Sequence, residues 1–362
     1  MARVRFQPIE HISWAMANNL RPKPACNLSL SAMQRFPINE IEWDPGLVSS
    51  ESELPKGYAV LARLLAERYR VPESQLAVTL GSSGANYLAA VALADAGDGV
   101  VIEEPVYEPL WRAFEAVGAR ITFVPRGPDG AIDPDRFRKA LSPGTKLVVT
   151  SNLHNPTSRH TPPDVLRELG RAAASVGAYV LCDEVYLDGL FGGTPMPCAR
   201  VIPNGISTAS LTKVYGLGPL RCGWAVGPAE AVARMRTALQ YVGVGHSIAA
   251  VAVTAQAMQR LPELHARAKA RHAENLPILS RWVESKPALR WTRPDGGFVG
   301  FVRLPAGIDD DALVERLARE QDTWVTPGKF FRARGGIRIG FGIPPDELTE
   351  GLRRIELVLK LP

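Results

Sequence analysis

Short apolar runs alternate with longer amphipathic stretches through the middle of the chain. LAVTL (76–80), GVVIEE (99–104), RITFVP (120–125), KLVVTSN (146–152) and AYVLCDE (178–184) have strand length and are rich in β-branched residues. Between them ANYLAAVALADA, EPLWRAFEAVGA and a stretch from about Pro162 to Val176 carry helical spacing, the first stopping at Gly97. GISTASL (205–211) and RCGWAVG (221–227) follow with no helix-length segment between them. Apolar runs bounded by glycine and separated by helices predict an α/β fold, its mainly parallel central sheet covered by helices on both faces.

After about residue 260 the texture changes. HARAKARHAENLPILSRWVES predicts a long, basic-faced helix on a solvated surface. GGFVGFVRL and GIRIGFG then predict strands, with a helix at DDALVERLARE between them, as in a smaller α+β domain. The expected division is a large domain over 46–260 and a small domain made of 1–45 and 261–362. Residues 1–45 have little periodicity of their own.

Composition changes this picture only by exclusion. The chain's 362 residues exceed an ordinary single core, and 46% hydrophobic with 22% charged residues is the balance of a folded globular protein. A formal charge of +5 with no block of five or six basic residues speaks against a nucleic-acid partner. Cys26, Cys182, Cys198 and Cys222 are scattered without a C-x-x-C pair, which predicts buried thiols rather than disulfides or zinc ligands. The opening MARVRFQPIEHISW has neither a long apolar stretch nor a small-residue cleavage site, and no eighteen-residue apolar run occurs. A cytoplasmic protein with no membrane partner is expected.

Ligands of open α/β sheets bind beyond the carboxyl ends of the strands, and four polar stretches stand there. GSSGAN (81–86) sets Ser82 and Ser83 between a strand and a helix, where backbone N–H groups and the helix dipole favour an anion. It is also the composition of a plain turn, and it is neither a Walker loop nor a nucleophile elbow. SNLHNPTSR (151–159) holds Asn155 before a proline that fixes where its amide points; His154 has no second ligand at metal spacing. In DEVYLD (183–188), Asp183 ends a buried strand, where a carboxylate needs a cation, a hydrogen bond, a metal or a helix N-terminus; Tyr186 lies three residues on. In SLTKVYGLGPLRCG, Lys213 follows an apolar strand among hydroxyl and glycine residues, and Arg221 comes eight residues later. A desolvated lysine gives up its proton readily, as Schiff-base chemistry requires. Gly216-x-Gly218 is not a dinucleotide fingerprint, because Arg221 stands where the third glycine belongs.

Together these stretches resemble the fold-type I pyridoxal-phosphate-dependent enzymes, and among them the class I/II aminotransferase family, from about Leu54 to the C-terminus. The carrying elements are S-L-T-K with its following arginine, Asn155-Pro156, Asp183-x-x-Tyr186 and the late arginine of GGIRIGFG, all in family order. The resemblance implies pyridoxal 5'-phosphate as cofactor. It implies Lys213 as the amine that bonds the cofactor aldehyde and then moves a proton between substrate Cα and cofactor C4′. Asp183 is implied as the partner of the pyridinium nitrogen. Asn155 and Tyr186 are implied at the ring's phenolic oxygen, and Tyr107 as the ring stacked on the pyridine. Arg221, Ser210, Ser82 and Ser83 would hold the phosphate, and Arg338 would grip the substrate α-carboxylate beside Asn155.

Three features depart from the family pattern. No tyrosine precedes Gly57 in SSESELPKGY, so a contact reaching the neighbouring subunit is not expected there; Ser158 replaces the glycine after Asn-Pro-Thr; and NLSLSAMQRFPINE lacks Gly-x-Pro over the substrate. The implied activity is amino transfer from an amino acid to a 2-oxo acid by a homodimer. A pyridoxal-phosphate-dependent lyase (β- or γ-elimination) or a cyclising synthase is the alternative, and a regulatory protein keeping an aminotransferase-like domain is the third. Phe298, Phe301 and Trp14 are candidates for an apolar side-chain pocket, although aromatic residues in strands more often belong to a core.

Overall fold

The structure, a computed structural model, describes residues 6–42, 44–47, 56–243 and 246–360. Its centre is a seven-stranded sheet. In chain order the strands are β1 (Leu76–Thr79), β2 (Gly99–Glu104), β3 (Arg120–Pro125), β4 (Thr145–Ser151), β5 (Tyr179–Asp183), β6 (Gly205–Ser210) and β7 (Gly223–Val226). Across the sheet they lie in the order β1-β7-β6-β5-β4-β2-β3. All neighbours are parallel except β7, which runs antiparallel to both β1 and β6. The reversal follows from the linker: residues 211–222 form no crossover helix, and a parallel return needs one.

Burial accounts for the apolar runs. Every residue of β6 and β7 is buried, as are all but one of β4 and of β5. Helices Gly81–Leu93, Glu108–Ala116 and Ala229–Val242 cover one face of the sheet, and Pro134–Ala140 with Pro163–Ala174 the other. The edge strand β3 instead has exposed residues at alternate positions and ends on a proline, which leaves it a poor template for further pairing.

A second, four-stranded sheet joins Thr326–Pro327, Gly336–Gly340, Val299–Arg303 and Arg290–Trp291 in that order. The basic helix spans Leu261–Glu284 and is solvated on one side only. Its buried Asn275 donates to the carbonyls of Phe341 and Ile343 at 2.7 Å each, tying the helix to the chain after Gly340. The N-terminal segment joins this part of the molecule through parallel pairing of Cys26–Asn27 with Thr323–Trp324. All four cysteines are free and buried. Among the described residues no helix is long and apolar enough to cross a membrane. SSESELP (49–55), the stretch that lacks the family's subunit-crossing tyrosine, lies outside the described residues.

Candidate active site

The parallel strands β2, β4, β5 and β6, and β1 with them, present their carboxyl ends at one edge of the sheet, and β7 starts there. Register places the key positions side by side: Ser151 opposite Asp183, Asp183 opposite Thr208, and Ser210 opposite Gly223. A cavity of about 200 Å³ opens over this edge. Ser82, Ser83, Tyr107 and Asn155 line it, together with Asp183, Tyr186, Lys213 and Arg221. Eight of the ten predicted residues thus meet in one place. Arg338 lies just behind the wall and Ser210 below the floor. A larger cleft of about 650 Å³, lined in part by Arg126, Arg290 and Arg303, contains none of the ten.

Asp183 is held from two sides. Its Oδ1 accepts from the Val185 N–H at 3.1 Å and its Oδ2 from Asn86 Nδ2 at 2.7 Å. Asn86 Oδ1 in turn accepts from Thr208 Oγ1 at 2.7 Å, which fixes the direction of the amide. Burial raises the carboxyl's proton affinity, while both donors and the nearby Lys213 oppose that rise. Lys213 Nζ donates to Ser31 Oγ at 2.8 Å. Burial, with Arg338 and Arg221 as neighbouring cations, lowers its pKa to about 8, against the pull of Asp183. The Lys213 loop is tied down two residues later, where Tyr215 OH donates to Asp188 Oδ2 at 2.8 Å; Asp188 also pairs with Arg68.

The cation of the opposite end is Arg221, held in the left-handed region at φ 49° just before β7. Its guanidinium lies against Gly81, where an added Cβ would sit 2.8 Å from Nη2. The helix Gly81–Leu93 begins at that glycine, so GSSG is the helix's first turn rather than a loop ahead of it. Ser82 and Ser83 of this turn and Arg221 line the cavity together, where first-turn N–H groups, hydroxyls and a guanidinium favour an anion. Ser210 reaches the cavity indirectly. Its hydroxyl donates to Thr212 Oγ1 at 2.9 Å, and Thr212 is the residue that lines the cavity.

Asn155 is positioned by a buried network around its loop. Glu103 accepts from the backbone and the hydroxyl of Ser151 at 2.7 Å each and pairs with Arg126 at 2.6 Å; Ser151 Oγ accepts from the Asn155 N–H at 3.3 Å. His154, fully buried, bridges Thr157 Oγ1 at 2.7 Å and the Pro105 carbonyl at 2.8 Å. Ser158, in place of glycine, takes the left-handed conformation at φ 54° that the turn needs. Arg338 sits on an interior strand, opposite both Phe301 and Thr326, and is 2% exposed. Its Nη1 donates to Asn155 Oδ1 at 3.2 Å, and its Nη2 donates to the Ser29 carbonyl at 3.1 Å and Thr326 Oγ1 at 3.2 Å; Nε is buried with no partner among the described residues.

None of the three aromatic pocket candidates lines the cavity. Phe298 is fully buried among Phe341, His272 and Phe191, and Phe301 packs on Phe331. Trp14 packs on Phe330 and His11, whereas Ile12 of the same helix lines the cavity. Phe298 is core, whereas Phe301, though buried, borders the larger cleft together with Trp291. Several contributors carried weak sequence signals. Asn86 opens a mostly apolar helical stretch, Thr208 is one of three hydroxyl residues in GISTAS, and Ser31 lies in a segment without periodicity. Glu108 caps the N-terminal helix by accepting from the Glu10 and His11 N–H groups at 3.1 and 2.8 Å, beside the predicted Tyr107.

These groups suit pyridoxal 5'-phosphate. An amine of lowered pKa, a buried carboxylate and an anion-favouring set of backbone N–H groups, hydroxyls and a guanidinium are the three chemistries its aldehyde, ring nitrogen and phosphate require. Residues 52–355 match the family described as aminotransferase class I and II. An arginine–pyruvate transaminase of Pseudomonas aeruginosa is 30% identical, over 83% of this chain and 80% of its own. A capreomycidine synthase of Streptomyces vinaceus is 33% identical, over 91% and 88%. A PLP-dependent aminotransferase structure from Streptococcus suis superposes at a TM-score of 0.88 with 23% identity, covering 98% of each chain. The PLP-dependent cyclase OrfR superposes at 0.85 with 26% identity, covering 99% of each. With its fold, its strand-end residues and a family match over most of its length, the chain belongs to the class I and II aminotransferases, which use pyridoxal 5'-phosphate.

Proposed function

We propose that the protein is an amino-acid aminotransferase that moves an amino group from an amino acid to a 2-oxo acid. The observation that carries this reading is the convergence of Lys213, Asp183, Asn155, Tyr186 and Arg221 on one cavity. In it Lys213 and Arg221 would hold the two ends of the cofactor, with Tyr107 against the ring. When bound, the cofactor supplies an electron sink for the pair left at substrate Cα.

The chain's own residues do the rest. Asp183, anchored by Asn86 and Val185, keeps a negative charge where a ring nitrogen must stay protonated. Lys213, with a pKa of about 8, is poised near neutral pH to accept the Cα proton and return it. Arg338 grips the substrate carboxylate with a planar fork, and Asn155 orients that fork through Nη1. The N-terminal segment contributes Ile12 to the cavity wall and Ser31 to Lys213.

We extend the reading to the assembly and the domain division. Exposed Leu80, Ile12 and Met16 flank the site, and Tyr241 is 89% exposed. These exposed apolar side chains, with the family membership, support a homodimer. The large domain (46–260) carries the seven-stranded sheet, and 1–45 with 261–362 form the small one. The proposed location is cytoplasmic.

A lyase or cyclising synthase is the second reading, favoured by the relatives named as a synthase and a cyclase. One experiment separates the two. Purified enzyme is given a panel of amino donors with pyruvate, and products are identified by mass spectrometry. Amino transfer yields alanine and the donor's 2-oxo acid, whereas a ring-closed or β-eliminated product without alanine rejects the reading.

A further inference from the structure

Ser29–Ser31 lies across three groups of the site. Its carbonyls accept from Arg338 (at Ser29, 3.1 Å) and Tyr186 (at Ser31, 2.8 Å), and the Ser31 hydroxyl accepts from Lys213 Nζ at 2.8 Å. Among the described residues this is the one hydrogen bond Nζ makes. The strap is fixed, not loosely draped. Met33 N–H donates to the Lys213 carbonyl at 2.8 Å, Gln34 N–H to Gly342 at 2.7 Å, and Gly340 N–H to Leu28 at 2.7 Å. It also lies in contact with glycine backbone: a Cβ on Gly340 would fall 1.7 Å from the Leu30 carbonyl oxygen, and one on Gly342 2.3 Å from that of Ala32. The hydroxyl therefore reaches Lys213 from a stretch whose backbone is pinned on both sides of it.

We propose that Ser31 is a positioning residue for Lys213, one that orients the free amine and favours its protonated form while it carries the substrate proton. The proposal rests on the aminotransferase reading and deepens it. A neutral amine has two N–H bonds and one lone pair. With one N–H held by Ser31 Oγ, the lone pair has a defined direction for the Cα proton. As the Cα–H bond breaks and the N–H bond forms, the electron pair stays with carbon and the amine becomes an ammonium. Its hydrogen bond to Ser31 is then charge-assisted and stronger. An acceptor that strengthens on protonation raises the proton affinity of its partner, so Ser31 counteracts the lowering that burial imposes on Lys213.

The test uses two readouts on Ser31→Ala and Ser31→Thr. First, the full-length chain freed of cofactor is acylated over a pH series, and modification of Lys213 is quantified by peptide mass spectrometry. Ser31→Ala should move the Lys213 midpoint down by roughly one pH unit, and Ser31→Thr, which keeps the hydroxyl, should leave it near wild type. Second, in the holoenzyme Ser31→Ala should lower kcat about tenfold with KM within about twofold, and Ser31→Thr should recover most of the loss. An unchanged midpoint in Ser31→Ala overturns the proposal, as does a raised KM at wild-type kcat. A shifted midpoint in a protein that transfers no amine to any acceptor supports the Ser31–Lys213 contact and rejects the aminotransferase reading instead.

Discussion

Removing the Asn86 side chain tests how the carboxylate of Asp183 is held. Asn86 Nδ2 donates to Asp183 Oδ2 at 2.7 Å, and the donor, the acceptor and the Thr208 hydroxyl behind them are all buried. A hydrogen bond to an ionised group contributes about 1.5–3 kcal/mol, and each 1.36 kcal/mol is tenfold in rate. If that energy holds Asp183 ionised and aimed at the ring nitrogen, Asn86→Ala should lower kcat roughly ten- to a hundredfold. The remaining donor, the Val185 N–H, keeps the effect from being total. Thr208→Val removes only the bond that orients the amide and should cost about three- to tenfold, since a neutral bond contributes about 0.5–1.5 kcal/mol. Steady-state rates at saturating cofactor, with melting temperatures to confirm folding, give the comparison. A folded Asn86→Ala within twofold of wild type refutes the reasoning, as does a Thr208→Val that costs more than Asn86→Ala.

Three other outcomes are expected. Arg221→Ala should weaken cofactor binding by roughly ten- to a hundredfold, measured by equilibrium titration, and Arg221→Lys should recover only part because it keeps the charge without the fork. Arg338→Lys should raise KM for the amino donor by about tenfold or more with a smaller change in kcat, since the bidentate grip is lost. Glu184, buried and capped by the Cys198 N–H, has its carboxyl pushed from 4.5 up to about 8 by burial. The folded state therefore holds a proton that the unfolded chain has lost. That contribution to stability is complete below about pH 4.5 and disappears as pH rises through about 8. Melting temperature should fall between roughly pH 4.5 and 8 and level off above that, and Glu184→Gln should flatten the decline; an equal slope in the variant rejects this.

What the sequence made legible follows from burial. The strands of the large sheet are covered on both faces, so they appear as uninterrupted apolar runs, and the polar residues at their ends mark the site. Helix Ile248–Gln259 is nearly all apolar and has no polar face to set a period, which hid it. GSSG reads as a loop because small residues are loop-like, yet Gly81 at φ 71° turns the chain straight into its helix. Lys213, Asp183 and Asn155 stood out because a polar group at a strand end is rarely idle. Asn86 did not, since its value lies in a contact with a residue 97 positions away. Ser31, 182 positions from Lys213, was equally invisible. The phenylalanines of GGFVGF stay ambiguous in sequence, because aromatic side chains in a strand satisfy a core as readily as a pocket.

The central claim is that the Lys213 site exchanges an amino group with the cofactor. It is tested most directly by a single half-reaction, mixing holoenzyme with an amino donor and no acceptor, then quantifying products by mass spectrometry. The account predicts one equivalent of 2-oxo acid per bound cofactor, matched by conversion of pyridoxal phosphate to pyridoxamine phosphate, with no conversion in Lys213→Ala. Continuous release of ammonia or of a cyclised product, with the cofactor left as pyridoxal phosphate, would contradict it.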